Sequence, residues 1–227
     1  MCGRYTLRTP SRQLALPFGV DELPEYVPRY NIGPGQSCFV VRNNGGGPEI
    51  AALKWGLLPH FVADPKRGAK PINARAETVA TNGFFKGAFA HRRCIIPADG
   101  FYEPEEDDRG QKTGRWWYFR FDDDRLFGFA GLWESWGEGG ERRETFTIIT
   151  TDPMDAVANC GHQRSPVILP PERYDLWLDP QAKTSQLKKL LGPHPSDEVI
   201  GYPVDGRAKN PRNEGPDLIE PFDSDVA

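Results

Sequence analysis

The sequence predicts an α+β fold: a single domain around a twisted antiparallel, partly barrel-like β-sheet with short flanking helices. Short apolar runs rich in aromatic and β-branched residues recur along the chain, and their length and composition favour strands. The 227 residues include 24 Gly and 22 Pro, which break the chain too often for long helices. No internal repeat and no clear linker divides it, so one domain over residues 1–221 is expected, followed by an acidic tail at 222–227.

In order, residues 11–16 are predicted as a short helix with Ser11 as its cap. Residues 21–37 carry Pro24, Pro28 and Pro34 and read as an ordered loop. The runs 38–42 and 50–55 read as strands, joined by a hairpin turn at Asn43-Asn44-Gly45-Gly46-Gly47. Residues 57–68 form a loop with aromatics, and a helix over 81–90 presents Phe84, Phe85 and Phe89 to the core. A short buried strand is expected at 93–97, then strands at 116–121, 126–133 and 144–150 with hairpin-like links. The polar stretch 107–114 reads as a mobile loop. Helices are predicted over 153–160, 171–178 and 184–191. From Pro193 the chain is rich in proline and charge and is expected to wrap the surface.

No apolar run approaches membrane-spanning length, and no basic segment followed by an apolar one marks a secretion signal. A cytoplasmic protein without membrane contact is expected. Four cysteines (Cys2, Cys38, Cys94 and Cys160) without a CxxC pair suit a reducing compartment and give a metal centre no support. No metal and no cofactor is expected. The formal charge of −4 and pI of about 5.6 argue against broad nonspecific nucleic-acid binding. The acids, however, gather at 105–108, at 122–124 and near the C-terminus. That leaves Arg4, Arg8, Arg12, Arg75, Lys86, Arg92, Arg93, Arg164, Lys209 and Arg212 on more structured segments, enough for a local basic groove.

Cys2 is the first candidate for chemistry. A small residue after Met1 usually permits Met1 removal, which would leave an α-amine and a thiol on one residue. Their reference pKa values, ~8 and ~8.5, make both usable nucleophiles near neutral pH. In Pro71-Ile72-Asn73-Ala74-Arg75-Ala76-Glu77, an extended chain puts Asn73, Arg75 and Glu77 on one face. There an amide can hold a sugar oxygen and a guanidinium can clamp a phosphate. In Asp99-Gly100-Phe101-Tyr102-Glu103, aromatic neighbours desolvate the Glu103 carboxyl, which suits a group that gives and takes protons. His162, in Gly161-His162-Gln163-Arg164-Ser165-Pro166, is a candidate proton carrier. The hydroxyls of Thr150 and Thr151, at the end of a predicted strand, can meet a phosphate. Each segment read alone also admits a purely structural role.

Taken in order, the motifs are more specific. Met1-Cys2-Gly3-Arg4-Tyr5, Arg29-Tyr30-Asn31-Ile32-Gly33-Pro34, Trp55-Gly56-Leu57-Leu58-Pro59, Ile72-Asn73-Ala74-Arg75-Ala76-Glu77, Arg92-Arg93-Cys94-Ile95-Ile96-Pro97, Asp99-Gly100-Phe101-Tyr102-Glu103 and His162-Gln163-Arg164-Ser165-Pro166 occur across nearly the whole chain. The set resembles the SOS response-associated peptidase family, also described as abasic-site processing proteins, from Cys2 to about Pro221. The resemblance implies a monomer that detects abasic sites in single-stranded DNA, links to them covalently, and removes its own initiator Met. It implies Cys2 as nucleophile, Asn73, Glu103 and His162 as its active-site partners, and Arg4, Arg75, Thr150, Thr151 and Arg164 as DNA-backbone contacts.

The implied chemistry fits the residues. The Cys2 amine condenses with the C1′ aldehyde of an abasic sugar to a Schiff base, and the thiol closes a thiazolidine. Strand cleavage by β-elimination is the expected side reaction. Trp55, Phe61 and Phe84 are candidates for a wedge beside the lesion, with core packing as the competing role. Three departures from the family pattern stand out: Pro104 where Trp is usual, Ser165 where Met is usual, and Asp152-Pro153-Met154 after Thr151. Two other readings stay open: a glutamine amidotransferase-like N-terminal-nucleophile amidohydrolase, and a noncovalent DNA-binding protein.

Overall fold

The computed structural model describes residues 2–20, 26–195 and 197–222, with the backbone alone at Arg12 and Leu16. The expectations for Met1, for the Arg12 side chain, for residues 21–25 of the proline-rich loop and for tail residues 223–227 lie outside the described residues.

Short apolar runs bounded by Gly and Pro become strands, as the pattern requires. The first elements are β1 (Arg4–Leu7), α1 (Ser11–Leu14), β2 (Arg29–Ile32), β3 (Ser37–Asn43), β4 (Pro48–Trp55), β5 (Asn73–Arg75) and α2 (Lys86–His91). Next come β6 (Arg93–Ala98), β7 (Gly100–Glu106), β8 (Lys112–Phe121), β9 (Phe127–Trp136), β10 (Arg143–Thr151) and α3 (Asp155–Ala158). The last are β11 (Ser165–Pro166), β12 (Ile168–Leu169), α4 (Tyr174–Leu178), α5 (Thr184–Lys188) and β13 (Val199–Val204). One antiparallel sheet runs β13-β8-β7-β1-β2. In the other, β10, β4, β3, β6 and β9 pair in a ring that returns from β9 to β10. This α+β, ring-like arrangement is the predicted class, with parallel β4–β10 and β5–β10 pairings inside it. No helix among the described residues is long and apolar enough to cross a membrane.

Local details differ from the sequence expectations for physical reasons. Ser11 is the first helical residue of α1, and Pro10 holds the cap position without a side-chain cap. The stretch read as a loop over 21–37 contains β2, which pairs with β1. Helix 81–90 starts only at Lys86, because Asn82 Oδ1 accepts the Phe84 N–H (2.8 Å) and holds a turn there. The polar stretch 107–114 ends in the first residues of β8, and Asp107 Oδ1 orders its turn by accepting the N–H groups of Arg109 and Gln111. The three later helices shorten to α3, α4 and α5. Beyond Pro193 the chain adds β13 to the edge of β8 rather than only wrapping the surface.

Two anchors fix β1, and with it the N-terminus. Tyr5 is fully buried and packs edge-on against Trp55 (5.4 Å) and Phe129 (6.0 Å). Burial of such a side chain contributes about 1.5–3 kcal/mol. The second anchor is the buried Asp99 carboxylate, between β6 and β7. It accepts the Thr6 hydroxyl (2.6 Å), the Arg8 N–H (2.6 Å), the Thr9 N–H (2.7 Å) and the Thr9 hydroxyl (2.8 Å). Asp99→Ala leaves these donors without their acceptor. It is expected to cost about 2–4 kcal/mol, read as a lower urea midpoint at unchanged m-value, whereas an unchanged midpoint would remove Asp99 as an anchor.

Candidate functional site

β1 pairs with β7 through Arg4–Tyr102, Tyr5–Phe101 and Thr6–Gly100. Continued by two residues, this antiparallel register carries Cys2 to the Glu103–Pro104 end of β7. Cys2 is fully buried. Its thiol lies 3.9 Å from the Arg4 carbonyl. Burial, and then the negative charge of Glu103, hold the thiol pKa well above its ordinary value. At neutral pH the residue therefore carries a thiol rather than a thiolate.

Glu103 and His162 meet at the same place. His162 Nε2 is 3.1 Å from Glu103 Oε2, and both side chains are buried. The other ring nitrogen, Nδ1, is 3.1 Å from Glu106 Oε1. An imidazole between two carboxylates is a proton relay: it can receive a proton at one nitrogen while the other stays tied. Because the carboxylates approach opposite edges of the ring, the three groups do not converge on one point. A cavity of about 390 Å³ opens beside them, lined by Gly3, Arg4, Tyr102, Glu103, Glu106, Lys112, Trp116 and His162 among others.

Asn73 enters from the second sheet, where β5 pairs with β10 as Asn73–Ile148 and Thr150–Arg75. Its neighbour Ile72 lines the cavity. Both polar atoms of the Asn73 amide are buried without a hydrogen-bond partner among the described residues. Such a group is available to a ligand. Arg4 stands at the cavity wall and donates to the Lys209 carbonyl (3.2 Å).

The other sequence candidates lie along β5 and β10. Arg75 is exposed, whereas Thr150 and Thr151 are buried at 1% and 5% exposure and offer a phosphate little surface. Arg164 is clamped by both oxygens of Glu77 and donates to the Thr150 carbonyl (2.7 Å). Glu77 thus pairs with Arg164 from a turn rather than projecting from a strand face shared with Asn73 and Arg75. Several arginines of the expected basic groove are also engaged inside the protein. Arg93 donates to four backbone carbonyls, while Arg8 pairs with Asp124 and Arg92 with Glu134.

Trp55 is a core residue whose indole N–H donates to the Ile72 carbonyl (2.9 Å), so it supports the cavity wall from behind. Phe61 is 55% exposed and packs edge-on with Phe84 at 5.7 Å. Two of the unusual residues explain each other: the buried Ser165 hydroxyl accepts the Met154 N–H (2.9 Å), tying the segment after Thr151 to the loop after His162. Glu106, Lys112 and Trp116 were not anticipated as parts of the site. Glu106 sat within an acidic run that read as a solvated loop.

Comparison with known proteins places this geometry. The profile of the SOS response associated peptidase (SRAP) family matches residues 1–211. An abasic site processing protein of Bacillus subtilis, YoqW, is 39% identical over 225 residues, covering 97% of this chain and 99% of its own. Escherichia coli YedK, also an abasic site processing protein, is 27% identical over 97% of this chain and 100% of its own. Among solved structures, a phage-related protein from Bordetella bronchiseptica superposes with a TM-score of 0.71 at 29% identity, over 89% of this chain and 94% of that one.

The thiol environment sets a test. With its pKa raised, Cys2 should alkylate with iodoacetamide more slowly at pH 8 than a cysteine in a model peptide, and its rate should still be climbing above pH 9. Glu103→Gln removes a charge that opposes the thiolate, so the climb should begin at lower pH, as read by mass mapping of the N-terminal peptide. Identical profiles would contradict the influence of the Glu103 charge on the Cys2 thiol.

Proposed function

The chain belongs to the SOS response associated peptidase family, and from that membership we propose that it captures abasic sites in single-stranded DNA by a covalent bond to Cys2 once Met1 is gone. The observation that carries the reading is the buried Cys2 thiol beside Glu103, with Glu103 in turn against His162.

The protonation state orders the steps. A thiol held neutral is a poor first nucleophile, so the freed α-amine attacks the C1′ aldehyde first. The resulting carbinolamine loses water to give a Schiff base. The Cys2 S–H then adds across the C=N bond, sulfur to carbon and hydrogen to nitrogen, closing a five-membered thiazolidine. Amine, thiol and aldehyde are held together throughout, which supplies much of the rate. Glu103 takes the proton that leaves nitrogen, and His162 supplies the one that departing oxygen needs. The unpartnered Asn73 amide holds a sugar hydroxyl or the new N-terminal amine. If closure is delayed, loss of a C2′ proton from the Schiff base expels the 3′-phosphate, which is the lyase side reaction. The same Cys2 and Glu103 are the groups at hand for release of Met1.

For the DNA strand, Arg4 at the cavity wall and the exposed Arg75 are the phosphate contacts, with Arg164 reached only if Glu77 lets go. Thr150 and Thr151 shape the strand beneath them. Few phosphate clamps suffice for a protein that holds its target covalently, in keeping with a net charge of −4. The amidohydrolase reading asks a thiolate to attack an amide, and the raised Cys2 pKa weighs against it.

A denaturing gel of the protein with single-stranded DNA bearing one abasic site tests this reading. A shifted band is expected with the native chain and none with Cys2→Ala. Glu103→Gln should slow band formation by roughly a hundredfold. No band with the native chain sinks the covalent reading, and ammonia release from glutamine would favour the amidohydrolase.

A further inference from the structure

The backbone of the loop that carries His162 is docked on the end of β7 at Glu106. The Glu106 N–H donates to the Cys160 carbonyl (3.0 Å). Gly161 has φ +77°, and a Cβ there would sit 1.9 Å from the Glu106 carbonyl oxygen, so only glycine permits this approach. The Glu106 side chain then reaches forward to His162 Nδ1 at 3.1 Å, at 16% exposure against 7% for the imidazole.

Strand alternation alone would put Glu103 and Glu105 on one face and turn Glu106 away. The register of β7 against β8 shifts between Pro104 and Glu106. The irregularity lies in β8, which spends four residues, from Trp116 to Lys112, where β7 spends two. Glu105 accepts from Thr113 and from Trp117, the residue paired with Glu103. The two carboxylates thus leave β7 on opposite faces, and the imidazole at the end of the strand reaches both.

A neutral imidazole has one N–H, and which nitrogen carries it is set by the partner of the other. We infer that Glu106 is a positioning residue: its carboxylate, 3.1 Å from Nδ1 of His162, draws the ring proton to that nitrogen and leaves Nε2 as the nitrogen that exchanges protons with Glu103 and the reacting sugar. The inference rests on the covalent reading above. In the carbinolamine step, Glu103 takes the nitrogen proton and Nε2–H protonates the departing hydroxyl, so the C–O bond breaks, C=N forms and one water leaves. Proton transfer from Glu103 to Nε2 then restores both groups, while Nδ1–H stays on Glu106 throughout.

The test compares Glu106→Ala, Glu106→Gln and the native protein by three readouts. In ¹⁵N spectra of the imidazole without DNA, the native His162 should hold its proton at Nδ1, and Glu106→Ala should redistribute it between the two nitrogens. Adduct formation should fall by about tenfold to a hundredfold in Glu106→Ala. It should fall less in Glu106→Gln, whose carbonyl oxygen still accepts Nδ1–H. Noncovalent binding of DNA carrying a tetrahydrofuran site, which has no aldehyde, should not weaken. An unchanged His162 spectrum in Glu106→Ala overturns the inference, as does an unchanged adduct rate or equal losses in both variants. If the native protein forms no adduct at all, the covalent reading falls, and the His162 spectra alone decide the role of Glu106.

Discussion

The antiparallel pairing of β1 with β7 sets the position of Cys2 relative to Glu103. Tyr5 in the core and Asp99 beneath the strand hold β1 in one register. That register delivers Cys2 to the Glu103–Pro104 end of β7, and Glu106 follows on the same strand. A slip of one residue would turn the side chains of β1 to the opposite face. Cys2, two residues before β1, is fully buried at the end of the sheet.

Burial then decides the chemistry. Burial, and then the Glu103 charge, hold the Cys2 thiol pKa up, and the thiol stays protonated at neutral pH. The positive groups, Arg4 and Lys112, stand at the cavity wall, and Arg75 lies outside its lining.

Much of this was legible in the chain. The β3–β4 hairpin followed from two apolar runs around a glycine-rich turn, and β6, β8, β9 and β10 from their aromatic and β-branched content. The strands that build the site were harder to read. β7 was not among the expected strands; Gly100 opens it, where a Cβ would lie 1.9 Å from the Tyr118 hydroxyl. β2 was hidden by Pro28 and Pro34, which bracket the strand instead of excluding it. Cys2, Glu103 and His162 were found through their chemical types and their order in the chain. Glu106 was not, because nothing local in the acidic run 105–108 singles out the carboxylate that meets His162. The burial of Thr150 and Thr151 and the Arg164–Glu77 clamp depend on long-range pairing that local sequence does not reveal.

The most direct measurement is mass spectrometry of the tryptic peptide from the protein–DNA adduct, before and after borohydride treatment. The account predicts Cys2-Gly3-Arg4 without Met1, carrying the abasic sugar at a mass one water below the sum of the parts. Borohydride should leave that mass unchanged, because a thiazolidine has no C=N bond to reduce. An adduct on a lysine peptide, or one that gains two hydrogens on reduction, would contradict it.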